Sequence, residues 1–369
     1  MRHNLGGIRS GATPRGELIR TALEAKKIYK FKNFCGLMIS RIGVVLCTCN
    51  RKLPVDFDKV SGYLMSEKGV QTVQISHNIC EQPSIIRGLV RSERLEGLVI
   101  GACSAYETLF RDEVEAGGLN PLLLEVVNLK EQLAGTHDHN RATTKATLLV
   151  RGFVEKMKYM DIANQVVPER ISSHGRVTRR ALFRSIPKFL KVYRPTPIIE
   201  GQLCVGPKAC RFCIDACPYG ALTVREENVI VDGEKCKICG VCSATCPVGA
   251  IQIPTHTDEQ LEAQIGGLLS DIGAGLDRRV LVFACDGSCY PAVNAVDEHG
   301  AKLPHDALVV RLPCLGILSE VTILTAFALG ADGVLLCGCL DDACPHREVL
   351  SSIKEKVASF KRLLSALNI

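Results

Sequence analysis

The sequence predicts an α/β protein in which cysteine-edged parallel-sheet domains at both ends flank a compact cysteine-rich segment. Three observations predict it. Short apolar runs alternate with amphipathic stretches at both ends of the 369-residue chain, the pattern of strands joined by helical crossovers. All but one of these runs ends in a cysteine or is soon followed by one. Eight of the nineteen cysteines lie between Cys204 and Cys246, in two clusters that each end in Cys-Pro. An apolar fraction of 47% is ample for packed cores, and the length leaves room for two or three domains.

Residues 1–40 form a basic leader. Arg2, Arg9, Arg15, Arg20, Lys26, Lys27, Lys30 and Lys32 face only Glu17 and Glu24, so this segment carries the whole net charge of +6. The neutral remainder argues against a DNA-binding fold, and the absence of Trp with 5% aromatics argues against nucleic-acid stacking platforms. The leader reads as a loose tail, a targeting-like segment or an over-called start. The last is the expectation, with Met38 opening "MISRIGVVLC".

The first domain spans 41–135. "RIGVVLC" (41–47), "VQTVQIS" (70–76), "EGLVIGAC" (96–103) and "PLLLEVV" (121–127) read as buried strands, with helices in "FDKVSGYLMSEK", "PSIIRGLVRSER" and "AYETLFRDEVEAGG". Cys47 and Cys49 close the first strand, Cys80 follows the second and Cys103 ends the third. The carboxyl ends of parallel strands share one edge, where ligands bind. Four thiols distant in sequence are therefore expected to converge there. A buried Cys is also a good small core residue, but four at strand ends point to a metal or cluster site.

Residues 136–200 read as a helical linker. "NRATTKATLLVRGFVEKMKYM" has helical periodicity after Asn140 as cap. "RVTRRALFRSIPKFLKVYRPTP" interleaves Arg176, Arg179, Arg180, Arg184, Lys188, Lys191 and Arg194 with apolar residues. That stretch suits either docking to an acidic partner or a solvated face, and a membrane surface less.

Within 201–255, "CKICGVCSATCP" places Cys236, Cys239, Cys242 and Cys246 at spacings of two, two and three before Pro247. This is the spacing of a bacterial-type ferredoxin half, in which three close thiolates hold one 4Fe–4S cluster and the fourth reaches across to its partner. "CVGPKACRFCIDACP" ends the same way with Cys210, Cys213, Cys217 and Pro218, but Pro207 stands where a cysteine is expected. Three looped-out residues leave Cys204 as first ligand. A disulfide framework or zinc ribbon does not readily account for two Cys-Pro endings followed by apolar residues. The crossing rule groups Cys204, Cys210, Cys213 and Cys246 around one cluster, and Cys217, Cys236, Cys239 and Cys242 around the other.

In 256–369, "RRVLVFAC" (278–285), "DALVVRLPC" (306–314) and "ADGVLLCGC" (331–339) are again strands ending in cysteine. "GVVLCTC" parallels "VLVFACDGSC", and "EGLVIGACSAY" parallels "DGVLLCGCLDD", so the two ends read as variants of one unit. "LGILSEVTILTAFALG" (315–330) is too short for a membrane span and contains Glu320, which leaves a buried helix. Six cysteines compete here. Strand alternation puts Cys337 and Cys339 on one face, with Cys337 deeper in the sheet as a core residue. The expected ligands are Cys285, Cys289 and Cys314, with the fourth from Cys339 or Cys344 and the other a neighbouring thiol.

The first domain, through "IGVVLCTCN", "ICEQPS", "LVIGACSAYETLFRDEVEAGGLNPLLLEVVNLKEQ" and "KATLLVRG", resembles the N-terminal domain of the A-type subunit of heterodisulfide reductase. The last, through "VLVFACDGSC", "VVRLPC", "AFALGADGVLLCGC" and "DDACPH", resembles the small iron–sulfur subunit of methyl-viologen-reducing hydrogenase. The resemblance implies a third 4Fe–4S site in the first domain and a 2Fe–2S site in the last. Three departures stand out. Leu133 occupies a position where the family commonly has Cys. Cys285 and Cys289 lie one residue further apart than usual. The flavin-binding domain of the reductase family has no counterpart, because no G-x-G-x-x-G follows a strand and "GGIRSG" (6–11) lies in the leader. No flavin is therefore expected on this chain.

The leading function is an electron-transfer subunit, itself non-catalytic. It would relay single electrons between a hydrogenase- or formate-dehydrogenase-type oxidoreductase and a heterodisulfide-reductase-like complex, flavin-bearing subunits being among the candidate partners. The expected setting is an anaerobic, reducing cytoplasm with no transmembrane segment. The alternative is a thiol/disulfide or substrate-reducing enzyme using the C-terminal cysteines, with Cys344 beside Pro345, His346, Asp341 and Asp342 as an activated thiol. A cluster scaffold or redox sensor is a third class.

Overall fold

The computed structural model describes residues 38–50, 53–136, 138–160, 195–272, 276–296, 301–340 and 344–366. The basic leader up to residue 37 and the basic stretch 176–194 lie outside the described residues, as do Asp341 and Asp342.

Strands β1 (Ile42–Cys47) and β3 (Gly97–Ala102) are buried at every position. They occupy the centre of a fully parallel sheet ordered β2-β1-β3-β4, with β2 (Val70–Ser76) and β4 (Leu124–Asn128) at the edges. Continuous apolar strands must be covered on both faces. Helix α1 (Phe57–Met65) packs beside α5 (His139–Lys158), and α2 (Ser84–Ser92) beside α3 (Glu107–Gly117). The fourth strand starts later than its apolar run. Asn120 accepts from the Leu122 N–H and Pro121 opens a 3-10 turn through Leu123, so extended backbone begins only at Leu124.

The expected linker is corrected here. Helix α5 is capped by Asp138, not Asn140, and fourteen of its twenty residues are buried. It packs on the first sheet and on α1, and its buried polar residues Thr143, Lys145, Thr147, Lys156 and Lys158 each have a partner. Lys156 pairs with Glu125 at 2.6 Å, and Lys145 Nζ donates to the Pro304 carbonyl at 3.1 Å. A helix buried on so much of its circumference is core, not connection.

The C-terminal sheet comprises β9 (Val280–Cys285), β10 (Ala307–Leu312) and β11 (Gly333–Cys337), all parallel and ordered β10-β9-β11. That is the second-first-third order of β2-β1-β3, as expected of two copies of one unit. Ile42 pairs with Gly97 and Val280 with Gly333. On that register Cys47 corresponds to Cys285, Cys103 to Cys339, and Gly101 to Cys337.

The two end units share one hydrophobic core. Helix α8 (Asp258–Leu268), started by a Thr257/Gln260 capping box, crosses α5 where two glycines meet. A Cβ on Gly267 would fall 2.8 Å from the Gly152 Cα, so only glycine permits this approach. Helix α10 (Glu320–Ala328) buries Thr322, Thr325 and Ala326 rather than its whole surface. Among the described residues no helix is long and apolar enough to cross a membrane.

Between the end units lies a small segment with its own core of Leu222, Val229, Cys242 and Ile251. It pairs β5 (Ile198–Ile199) with β8 (Ile251–Gln252) and β6 (Leu222–Arg225) with β7 (Asn228–Val231), both antiparallel, around short helices α6 (Phe212–Asp215) and α7 (Val241–Thr245).

Candidate metal centres

At the edge of the first sheet, Cys49 and Asn50 take left-handed backbone (φ 47° and 56°), turning the chain back at the end of β1. Thr48 and Asn50 N–H groups bond to the Ser76 and His77 carbonyls, tying this turn to β2. Cys49 Sγ thereby lies 3.9 Å from Cys47 Sγ. The Cys49 thiol donates to Cys47 and outweighs burial there, lowering Cys47 to about 6, while Cys49 rises correspondingly. Cys80 and Cys103 are close enough for their thiolates to repel Cys49. Burial, then Glu131, then Cys80 and Cys47 push Cys103 up to about 11. The sequence-predicted four thus converge. Sequence reasoning missed Glu131 on α4 (Leu129–Leu133). It is an acid in an apolar run, buried beside Cys103, and burial raises its own carboxyl.

The central segment sorts its eight cysteines into two sets. Burial raises Cys213, and the next contributions come from Cys246, Cys204 and Cys210. Cys242 is pushed to about 12 by burial, then by Cys239, Cys236 and Cys217. These neighbourhoods are those of the crossing rule, and the stretched opening does not keep Cys204 away. Gly206 (φ 83°) turns the looped-out residues, and its carbonyl accepts from the Ala209 and Cys210 N–H groups.

Both halves repeat a Cys-Pro-x-Gly-Ala turn. Gly220 (φ 57°) and Gly249 (φ 66°) fold the chain back so that Ala221 N–H donates to Cys217 Sγ at 3.4 Å and Ala250 N–H to Cys246 Sγ at 3.2 Å. Amide-to-sulfur bonds of this kind orient a thiolate and stabilise its negative charge. Cys217, Cys236, Cys239 and Cys242 line a recess together with Tyr219, Leu222 and Val231.

At the C-terminal sheet, Cys285 Sγ lies 3.3 Å from Cys339 Sγ. Burial would raise Cys285, but the N–H groups of Cys289, Ser288 and Gly287 and the Cys339 thiol overcome it, and the net direction is down. Cys285, Cys314, Cys339 and Cys344 line a recess together with His346 and Leu350. Here the expected ligand set is corrected. Cys289 is disulfide-bonded to Cys337 and does not line the recess, whereas both Cys339 and Cys344 do. The cause is geometric. Cys289 opens α9 (Cys289–Asn294) and points into the main core, where it meets Cys337 at the last position of β11. Cys337 is thus set back from the recess, as expected, but bonded.

The central and C-terminal sets adjoin. Cys239 and Cys314 form a small core with Val349, and Cys239 is among the neighbours that raise Cys314 to about 12 after burial. Gly316 makes the approach possible. A Cβ there would lie 2.6 Å from the Cys239 carbonyl oxygen. Tyr219 hydrogen-bonds His346 across the same junction, with their rings edge-on at 5.6 Å.

All four sets consist of cysteine. Among the described residues no three His, Cys, Asp or Glu side chains close on a single ion. A cubane asks instead for four thiolates, one at each iron. Doubled Cys-Pro-x-Gly-Ala turns and thiol-only quartets are features of an iron–sulfur protein, and residues 204–250 match the 4Fe-4S dicluster domain family. Residues 280–369 match the family of the methyl-viologen-reducing hydrogenase, delta subunit. More of the chain is similar to the A-type iron–sulfur subunits of heterodisulfide reductases. Identity is 26% to that of the CoB–CoM heterodisulfide reductase of Methanocaldococcus jannaschii, over 71% of this chain and 47% of that protein. It is 26% to the first of two such proteins of Methanopyrus kandleri, over 59% and 39%. It is 38% to the corresponding component of the H(2)/formate:CoB-CoM heterodisulfide,ferredoxin reductase of Methanococcus maripaludis, over 59% and 40%. The chain therefore spans less than half the length of these curated relatives.

Proposed function

We propose that the chain is an iron–sulfur electron-transfer subunit, passing single electrons between a hydrogenase- or formate-dehydrogenase-type partner and a heterodisulfide-reductase-like complex. The observation that carries it is the wall shared by Cys239 and Cys314, which joins the central thiol sets to the C-terminal set. Iron–sulfur clusters, when bound, supply one-electron chemistry over a wide range of potentials.

On this reading the protein's own residues hold, space and tune. Cys204, Cys210, Cys213 and Cys246 would hold one cubane, and Cys217, Cys236, Cys239 and Cys242 a second. Cys47, Cys49, Cys80 and Cys103 would hold a third, and Cys285, Cys314, Cys339 and Cys344 a two-iron cluster. Burial keeps free thiols such as Cys242 and Cys314 protonated, at about 12 each, so iron binding must displace their protons. The Ala221, Ala250 and Cys289 amides then stabilise thiolate charge and tune potential. A reducing cytoplasm suits the sixteen free thiols among the described residues.

The test is anaerobic loading of the full chain. Four sites require roughly 14 Fe per chain, with magnetic interaction between the reduced C-terminal and adjacent central centres in EPR. Iron and sulfide near eight would restrict clusters to the central segment and sink both outer sites. Stable copurification with oxidoreductase subunits from the native host would support the relay, and turnover of a small substrate by the isolated chain would overturn it.

A further inference from the structure

We propose that the Cys289–Cys337 disulfide is a redox-active, two-electron store beside the C-terminal thiol set. This rests on the iron–sulfur reading above and adds to it a centre that no cluster assignment uses. Six cysteines gather at this sheet edge, but four of them line the recess, and the two left over are bonded to each other. It is the one disulfide among the described residues.

The bonded pair adjoins the thiol set through the backbone. The N–H of Cys289 donates to Cys285 Sγ, the thiol 3.3 Å from Cys339. Cys337 is separated from Cys339 only by Gly338, which itself lines the recess. Both half-cystines are thus one short backbone step from a recess thiol. Cys289 belongs to the main core and is only 6% exposed, while Cys337 packs against that core half-buried. Reduction by thiol exchange requires an attacking thiolate to reach a sulfur, and this burial opposes it. Electron transfer from the neighbouring site needs no such access. On its far side, α9 packs against α4, and Asn294 accepts from Asn128 at 2.5 Å. Glu131 of α4 stands beside Cys103, so the helix that carries Cys289 packs on the element that borders the first thiol set.

The step balances simply. The Sγ–Sγ bond breaks, two electrons enter it one after the other, and two protons from water complete two thiols. The reductant would be a low-potential one-electron iron–sulfur centre held by the recess thiols, re-reduced by its own electron donor between the two transfers. Reoxidation returns both electrons and both protons. A chain of one-electron centres would thereby gain a site able to hold an electron pair.

The experiment uses the full chain, purified anaerobically, with iron and sulfide assayed first. It is photoreduced with a deazaflavin, quenched in acid with N-ethylmaleimide and mapped by peptide mass spectrometry. Before reduction the Cys289 and Cys337 peptides should be cross-linked. After reduction both should be alkylated, while the metal-free chain given the same photoreductant should keep its cross-link. Cys337→Ala should retain iron, sulfide and EPR signals yet take up two fewer electrons per chain in coulometry, as one disulfide requires. Cys289→Ser provides the same reading if the first variant folds poorly by circular dichroism. A cross-link that survives full cluster reduction makes the pair a structural staple and overturns the proposal alone. Loss of iron in well-folded Cys337→Ala makes the pair ligands and does the same. A wild-type chain that binds no iron overturns the iron–sulfur reading and this proposal together.

Discussion

Glu107 is the point at which the two end units can be loosened by a single charge. It opens α3 in the first unit, and its carboxylate meets Arg311 of β10 at 2.5 Å and Arg111 at 2.7 Å. Arg311 also bonds Asp286 at 2.6 Å and lies over the Tyr290 ring. Burial alone would raise the Glu107 carboxyl, but the Arg311 and Arg111 guanidiniums win and hold it at about 2 against an ordinary 4.5. At ~1.4 kcal/mol per pKa unit, that difference corresponds to about 3 kcal/mol of stability at neutral pH. Because the folded value is the lower one, the contribution is complete above about pH 4.5 and is lost as pH falls toward 2. Glu107→Gln keeps the shape and removes the charge, leaving Arg311 half-paired in a buried joint. Anaerobic urea unfolding of the full chain, followed by circular dichroism, should show the variant about 3 kcal/mol less stable at pH 7. The gap should close on acidification. Equal midpoints at pH 7, or a gap that widens as pH falls, would refute the argument.

Three further outcomes are expected. Cys217→Ser should abolish or shift the EPR signal of the centre held by Cys236, Cys239 and Cys242; a change confined to the Cys210/Cys213 centre would reverse the crossing. Gly316→Ala should cost ~1–3 kcal/mol, because its methyl must displace the Cys239 carbonyl, Val349 or Val241. It should also weaken magnetic interaction across that junction, and an unchanged midpoint with unchanged EPR would mean the junction yields freely. Cys314→Ala should remove the visible absorption and reduced EPR signal of the C-terminal centre while sparing the central pair, and survival of that signal would exclude Cys314 as a ligand.

Much of the architecture was legible because its signals are local. Apolar runs of strand length located every strand of both sheets, and their C-terminal cysteines marked the edge where the thiols gather. The two-two-three spacing, with Cys-Pro at its end, sorted the central cysteines into the neighbourhoods the structure shows. Other features depend on partners far away in the chain. The periodicity of 139–158 signalled a helix but not that α8, more than a hundred residues on, would bury it at Gly152 and Gly267.

What the sequence determined by itself was composition and order: thiol-only sites, their grouping within the central segment, and two sheet units of one pattern. Tertiary structure alone decided the C-terminal set. Six cysteines within sixty residues are equivalent by residue type, and alternation on one strand cannot say which sulfur another loop will approach. Once β9 and β11 are paired, Cys289 meets Cys337 in the core while Cys344 turns to the recess. It also decided that Cys239 and Cys314 share a wall, since that contact requires close approach of two separately folded backbones at Gly316, and no local pattern encodes such an approach.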